Sequence, residues 1–258
     1  MSKLLPIDFK DERGQKIFEE VIKNLPEDVE VYLVAGSLRN AIDRHIHGGS
    51  KLEQRDYDQV VTKGSNQYLT YLKSLGFYDG LIQRPTQKVL IKSFVDNEDP
   101  GDFANNLVFD INLMDNTTVL DNLKKHVGLT VNGNAISFRD IFSEDWKDKL
   151  ISLPGALESI EKKQLKLNHE GYKYQAANLF SVIRFVYNGY KPLTKKDLML
   201  LAQELPSVDD DRYKKNVRKV YKYVGGEENA RRICNEIGID FDVFNKQAVI
   251  KITNQTTS

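Results

Sequence analysis

The run Val31-Tyr-Leu-Val-Ala-Gly-Ser-Leu-Arg-Asn40, followed by Asp56-Tyr-Asp-Gln-Val-Val61, constrains the fold more than any other part of this chain. A β-rich stretch ends at Gly36-Ser37, apolar residues at helical spacing follow, and a second strand opens with Asp-x-Asp. Alternate residues of a strand share a face, so Asp56 and Asp58 point the same way. Carboxylates that close repel each other unless a positive group lies between them. A divalent cation meets that need, and a cation beside a Gly-Ser turn points to phosphate chemistry.

The rest of the first half continues as mixed α/β. Ile17, Val21, Ile22 and Leu25 predict a helix over 11–25, and strand signals follow at 29–35. A helix over 38–46, a polar loop to residue 54, a strand over 56–62 and a helix over 65–75 closed by Gly76 come next. Two further strands are expected at 88–95 and 107–114. From Phe138 onward the patterns are helical, with segments at 139–149, 154–163, 172–189, 195–204, 209–223 and 227–237. Asp209-Asp-Asp211 reads as a helix start, because carboxylates favour the first turn. The fold class is therefore α+β, a mixed-sheet head over 1–137 followed by an all-α domain over 138–258. Trp146 and Phe142 are expected to pack between the two.

The strand at 107–114 is apolar except for Asp110 and Asn112. A charge in a buried strand is costly unless paired or ligated, so Asp110 reads as a third oxygen ligand beside Asp56 and Asp58. Three carboxylates can hold two divalent ions about 4 Å apart for in-line phosphoryl transfer. Gly36 permits close backbone approach, Ser37 offers an N–H and a hydroxyl, and the planar fork of Arg39 suits phosphate oxygens. Each part is common in isolation; their order along the chain joins them into one site.

Composition sets the outer limits. Lysine plus arginine and aspartate plus glutamate each total 37, so bulk positive charge is not what would grip a nucleic acid. One local exception is Asp211–Tyr223, where Arg212, Lys214, Lys215, Arg218, Lys219 and Lys222 interleave with three tyrosines. It reads either as a solvated amphipathic helix or as an RNA-contacting face. The single cysteine, Cys234, lies on an apolar helical stripe and forms no internal disulfide. With no long apolar run and no secretory leader, the expectation is a cytoplasmic protein with no membrane segment.

These residues carry a resemblance. The chain is similar to the nucleotidyltransferase superfamily of DNA polymerase β. Within it, the chain most resembles the class II tRNA nucleotidyltransferases (CCA-adding enzymes) and the bacterial poly(A) polymerases. Their Val-Gly-Gly-x-Val-Arg-Asp segment matches Val34-Ala-Gly-Ser-Leu-Arg-Asn40, and their Asp-Ile-Asp matches Asp56-Tyr-Asp58. Phe109-Asp-Ile111 matches the later acidic strand. Gly128-Leu-Thr-Val-Asn132 resembles Asp-Phe-Thr-Ile-Asn, and Ser181-Val-Ile-Arg-Phe185 resembles a neck segment ending Arg-Ala-Val-Arg-Phe. The resemblance covers about residues 28–190. The departures are Asn40 for Asp, a longer loop at 45–55, and Tyr174-Gln-Ala-Ala-Asn178 where the family carries its base-reading Glu-Asp-x-x-Arg.

The resemblance implies a metal-dependent enzyme that moves a nucleoside monophosphate from an NTP to an RNA 3′-hydroxyl, on tRNA or another small RNA, releasing pyrophosphate. It implies Asp56, Asp58 and Asp110 as catalytic ligands of Mg2+ or Mn2+. Gly36, Ser37, Arg39, Asn132, Gln175, Asn178 and Arg184 would hold the nucleotide, with Tyr172 or Tyr174 close to the base. Gln175 and Asn178 are amides that carry both donors and acceptors, so base selectivity need not follow the family's. The same chemistry on a small-molecule or protein acceptor stays open at this point, as does a non-catalytic binding relic. Neither the transferred nucleotide nor the oligomeric state is fixed by the sequence.

Overall fold

The structure is a computed structural model that describes residues 4–9, 12–48, 56–94, 105–171, 178–242 and 247–250. The chain divides into two compact units: Met1–Leu123 with Asn132–Ala156, and Lys124–Val131 with Leu157–Ser258.

The first unit is built on a seven-stranded mixed sheet. Its strands are β1 (Glu30–Val34), β2 (Tyr57–Lys63), β3 (Tyr78–Arg84), β4 (Gln87–Ser93), β5 (Asn106–Leu113), β6 (Asn134–Ser137) and β7 (Ile151–Ser152), in the spatial order β3-β4-β5-β2-β1-β6-β7. β2 and β5 pair in parallel, and the other neighbours are antiparallel. A parallel pair needs a long connection; here it runs through the helix α3 (Ser65–Ser74) and the β3–β4 hairpin. β5 is an interior strand, with Leu107, Val108, Phe109 and Ile111 all buried, which explains its almost continuous apolar sequence. The helix α1 (Glu12–Lys23) inserts Phe18 among the rings of Tyr57, Phe109 and Phe138, at centroid distances of 5.3, 5.8 and 5.3 Å. These offset and edge-on contacts suit aromatic quadrupoles. The helix α2 (Ala35–His47) leaves β1 with no intervening loop and buries Leu38, Ala41 and Ile42.

The helix expected at 139–149 does not form. Phe138–Asp140 is a 3-10 turn, and successive i to i+3 bonds follow, from Ser143 N to Asp140 O, Trp146 N to Ser143 O and Lys149 N to Trp146 O. Phe138, Ile141 and Trp146 are buried there, so the apolar spacing that mimics a helix is met by a chain of turns. Trp146 packs edge-on against His45 at 5.2 Å in the first unit's core, and the half-buried Phe142 lies 6.5 Å from Phe18 of the same unit. Residue 137 falls inside this unit, because β6 ends there and its partner β7 comes later in the chain.

The second unit is helical: α5 (Ala156–Glu161), α6 (Asn178–Tyr187), α7 (Lys195–Glu204), α8 (Asp210–Val224) and α9 (Glu227–Glu236). The helix α4 (Val119–His126) starts in the first unit and ends in this one. Thr194 caps α7 through Asp197 N, and Asp209 caps α8 through Arg212 N. A two-stranded hairpin, β8 (Ile239–Asp242) and β9 (Gln247–Ile250), follows the last helix of this otherwise helical unit. Cys234 is buried, and that burial pushes its thiol pKa up to about 11, which leaves it inert. Among the described residues no helix is long and apolar enough to cross a membrane.

Candidate active site

The parallel register places Asp58 of β2 directly beside Asp110 of β5. Asp56 sits just before β2, and one carboxylate oxygen from each of the three lies within 4.8 Å of the others. The α2 N-terminus closes one side, where Gly36 N–H donates to Asp58 Oδ2 at 3.2 Å. Helix N-termini attract negative charge, so this contact stabilises the ionised form. It does not prevail. Burial first, then the charges of Asp56 and Asp110, push the Asp58 pKa up to about 8, against the smaller opposing pulls of Gly36 N–H and Arg39. The Asp110 pKa is also raised by burial, and Gln87 moderates the rise.

A cluster held in that state fits a hard divalent cation. It offers only oxygen ligands, the donor type that Mg2+ and Mn2+ take, so Asp56, Asp58 and Asp110 would hold such an ion. A cation would also lower the raised carboxylate pKa values, since it supplies the charge that the site lacks.

Arg39 lies next to this cluster and is held by two amides. Nη1 donates to Asn132 Oδ1 at 2.6 Å, while Nε and Nη2 donate to Asn40 Oδ1 at 3.1 and 2.8 Å. Both of these amides are neutral acceptors that fix the orientation of the planar fork, and its charge acts on Asp58.

Gly36 is not needed for backbone reasons. The left-handed position at the strand–helix junction is Ala35, with φ of 51°. A Cβ on Gly36 would meet Asp58 Oδ2 at 3.4 Å and Arg39 Nη2 at 3.8 Å, both ordinary contacts. What the missing side chain leaves is open approach to the carboxylate and the guanidinium.

The structure brings Asp56, Asp58, Asp110, Gly36, Arg39 and Asn132 together in the first unit. Ser37 is adjacent but buried, and its hydroxyl donates to Val34 O at 3.2 Å. Asn178 and Arg184 lie on α6 in the second unit. Arg184 donates to Ser181 Oγ at 3.0 Å. Asn178 is buried, its Nδ2 has no hydrogen-bond partner among the described residues, and it lies so close to Gly128 that a Cβ there would clash with the amide. Gln175, Tyr172 and Tyr174 lie outside the described residues. Arg212, Lys214, Lys215, Arg218, Lys219 and Lys222 are all exposed on α8.

Sequence reasoning missed Gln87. Its Nε2 donates to both oxygens of Asp110, at 2.9 and 3.2 Å, from the first residue of β4. The available signal was weak: a polar residue just ahead of an apolar run, one position before the expected strand.

By sequence, the chain matches no protein-family profile and no curated protein. By structure, its fold is that of the CCA-adding enzymes. A CCA-adding enzyme in complex with ATP superposes with a TM-score of 0.64 at 18% identity, covering 88% of this chain and 52% of that one. The Thermotoga maritima CCA-adding enzyme complexed with tRNA gives 0.56 at 17%, covering 87% and 50%. A tRNA-processing enzyme in an apo form gives 0.61 at 17%, covering 92% and 62%. The chain thus spans about half to three-fifths of the length of the structures it matches.

Proposed function

We propose that this chain is a nucleotidyltransferase that moves a nucleoside monophosphate from an NTP to an RNA 3′-hydroxyl. The first unit would act as the transferring head and the second as the helical neck and body. The observation that carries the reading is the in-register pair Asp58 and Asp110, joined by Asp56, beside the Gly36 N–H and the amide-held Arg39. The fold neighbours include structures with ATP, with CTP and with tRNA, which supports an NTP donor and an RNA acceptor.

Asp56, Asp58 and Asp110 would hold Mg2+ or Mn2+, which supplies charge stabilisation at the transferring phosphate and the leaving pyrophosphate. Arg39, oriented by its two amides beside the carboxylates, would bind phosphate oxygens. The bare Gly36 lets the triphosphate approach the α2 N-terminus closely. Gln87, by gripping both oxygens of Asp110, keeps that carboxylate oriented and available as proton acceptor near the attacking hydroxyl. In the second unit, we read Asn178 and Gln175 as the amides that would contact a base; the Asn178 Nδ2 has no hydrogen-bond partner among the described residues, which supports that reading.

Incubation with Mg2+, each radiolabelled NTP in turn and a pool of small RNAs tests the reading on a denaturing gel. Label on an RNA band, absent for Asp58→Asn, supports it. Nucleotide binding with no labelled RNA would move the acceptor to a small molecule or a protein.

A further inference from the structure

We infer that the outer face of α8 is a docking surface for the phosphate backbone of the RNA acceptor; this rests on the reading of an RNA acceptor above. The helix buries Tyr213, Val217, Val220 and Val224. At about 100° per residue those four positions define one stripe, and Lys214, Lys215, Arg218, Lys219 and Lys222 spread over an arc centred roughly opposite it. These cations, with Asp211, line one shallow surface depression. Lys214, Arg218 and Lys222 follow one another at four-residue steps, a row about 12 Å long.

Such a row is unfavourable by itself. Like charges at i and i+4 repel, and Lys214/Arg218, Arg218/Lys222 and Lys215/Lys219 are three such pairs on one helix. The neighbouring helix handles its cations differently. On α9, Arg231 pairs with Glu227, and Arg232 pairs with Glu236 at 2.7 Å, both at i,i+4 spacing. Lys214, Lys215, Arg218 and Lys222 have no ion-pair partner among the described residues. In a chain whose charges balance overall, this concentration is a local choice. A polyanion relieves the repulsion, and release of its condensed counterions drives association.

The chemistry favours RNA over a membrane. An interfacial helix presents large apolar side chains next to its cations, and none of the exposed large hydrophobic residues lies on α8. An exposed aromatic does adjoin this helix from α6. Tyr187 is 45% exposed, and its ring lies 6.0 Å from that of Tyr223 at 74°. Asn188 Nδ2 anchors Tyr223 by donating to its hydroxyl at 2.9 Å. An exposed ring beside a cationic helix suits stacking of an unpaired base.

The test is fluorescence anisotropy of the full chain with a labelled RNA hairpin bearing a single-stranded 3′ tail, between about 50 and 200 mM KCl, the range over which phosphate contacts show their salt dependence. The variants are Lys214→Ala/Arg218→Ala/Lys222→Ala, Tyr187→Ala and Asp58→Asn. The triple variant is expected to bind at least about tenfold more weakly at the lowest salt, and loss of three phosphate contacts lowers its log–log salt slope by about 2–3. Tyr187→Ala should weaken binding severalfold with an unchanged slope, and circular dichroism should show all variants folded. A folded triple variant with wild-type affinity and slope overturns the inference. So does binding to vesicles of phosphatidylserine in phosphatidylcholine that needs the three cations when RNA binding does not. Asp58→Asn should keep RNA binding. If no NTP is ever transferred while the triple variant still loses RNA, the docking surface stands and the transfer reading falls.

Discussion

Replacing Asp58 with asparagine should make the metal-free protein more stable while abolishing turnover, and the two effects share one cause. In the folded chain burial, Asp56 and Asp110 raise the Asp58 pKa from 3.8 to about 8. Unfolded, the group gives up its proton near its ordinary value. Between about pH 4 and 8 folding therefore takes up a proton, and stability falls as pH rises, with the loss complete above about pH 8. Each unit of displacement is worth about 1.4 kcal/mol, so at pH 7 the ceiling is about 4 kcal/mol. Partial exposure and proton sharing with the neighbouring carboxylates reduce this to about 2–3 kcal/mol. An asparagine side chain at this position would keep an acceptor for Gly36 N–H and remove the titration. In EDTA, thermal unfolding of Asp58→Asn should exceed wild type by about 5–10 °C at pH 8, and by much less at pH 5. Mg2+ at saturating concentration should raise the wild-type midpoint through binding to the folded state alone, and should leave the variant almost unmoved. A gap that fails to widen between pH 5 and pH 8, or equal Mg2+ shifts in both proteins, would refute the account of these carboxylates.

Gln87→Ala should weaken Mn2+ binding by about 10-fold or more, read by electron paramagnetic resonance, because Asp110 loses the donor that orients it. Ala35→Gly should raise the unfolding midpoint by about 2–4 °C in calorimetry, since it removes a left-handed alanine worth about 1 kcal/mol. Gly36→Ala should leave that midpoint within about 2 °C, because the added Cβ meets only ordinary contacts. It should nevertheless raise the KM for NTP severalfold by filling the approach to Asp58 and Arg39; an unchanged KM would show that phosphates do not pass there. Arg39→Lys should raise the same KM about 10-fold or more, because a single ammonium cannot hold both Asn40 and Asn132 while meeting phosphate.

Much of the site is legible because its residues violate the pattern around them. Asp110 stands out as a charge in an apolar strand, and Asp56 and Asp58 as paired carboxylates at strand spacing, so burial cost alone marks them. Helices with capped starts and buried stripes, such as α7 and α8, are equally readable, since their signals are local. The segment 139–149 misleads because apolar spacing near 3.6 fits a run of i to i+3 turns as well as a helix, and only the buried environment of Ile141 and Trp146 chooses between them. β3 escapes notice since it is an edge strand with no buried residue and Leu81 95% exposed, so no alternation marks it.

By itself the sequence determined the order strand, Gly-Ser, helix, acidic strand, acidic strand, and with it the carboxylates on which the proposed chemistry rests. Tertiary structure alone decided the pairings that make those donors a site. The parallel register sets Asp58 against Asp110, the β4 alignment delivers Gln87 to Asp110, and a contact across 93 residues ties Arg39 to Asn132. The physical reason is range: carboxylate type and strand spacing are properties of neighbouring residues, whereas register and side-chain pairing depend on segments far apart in the chain.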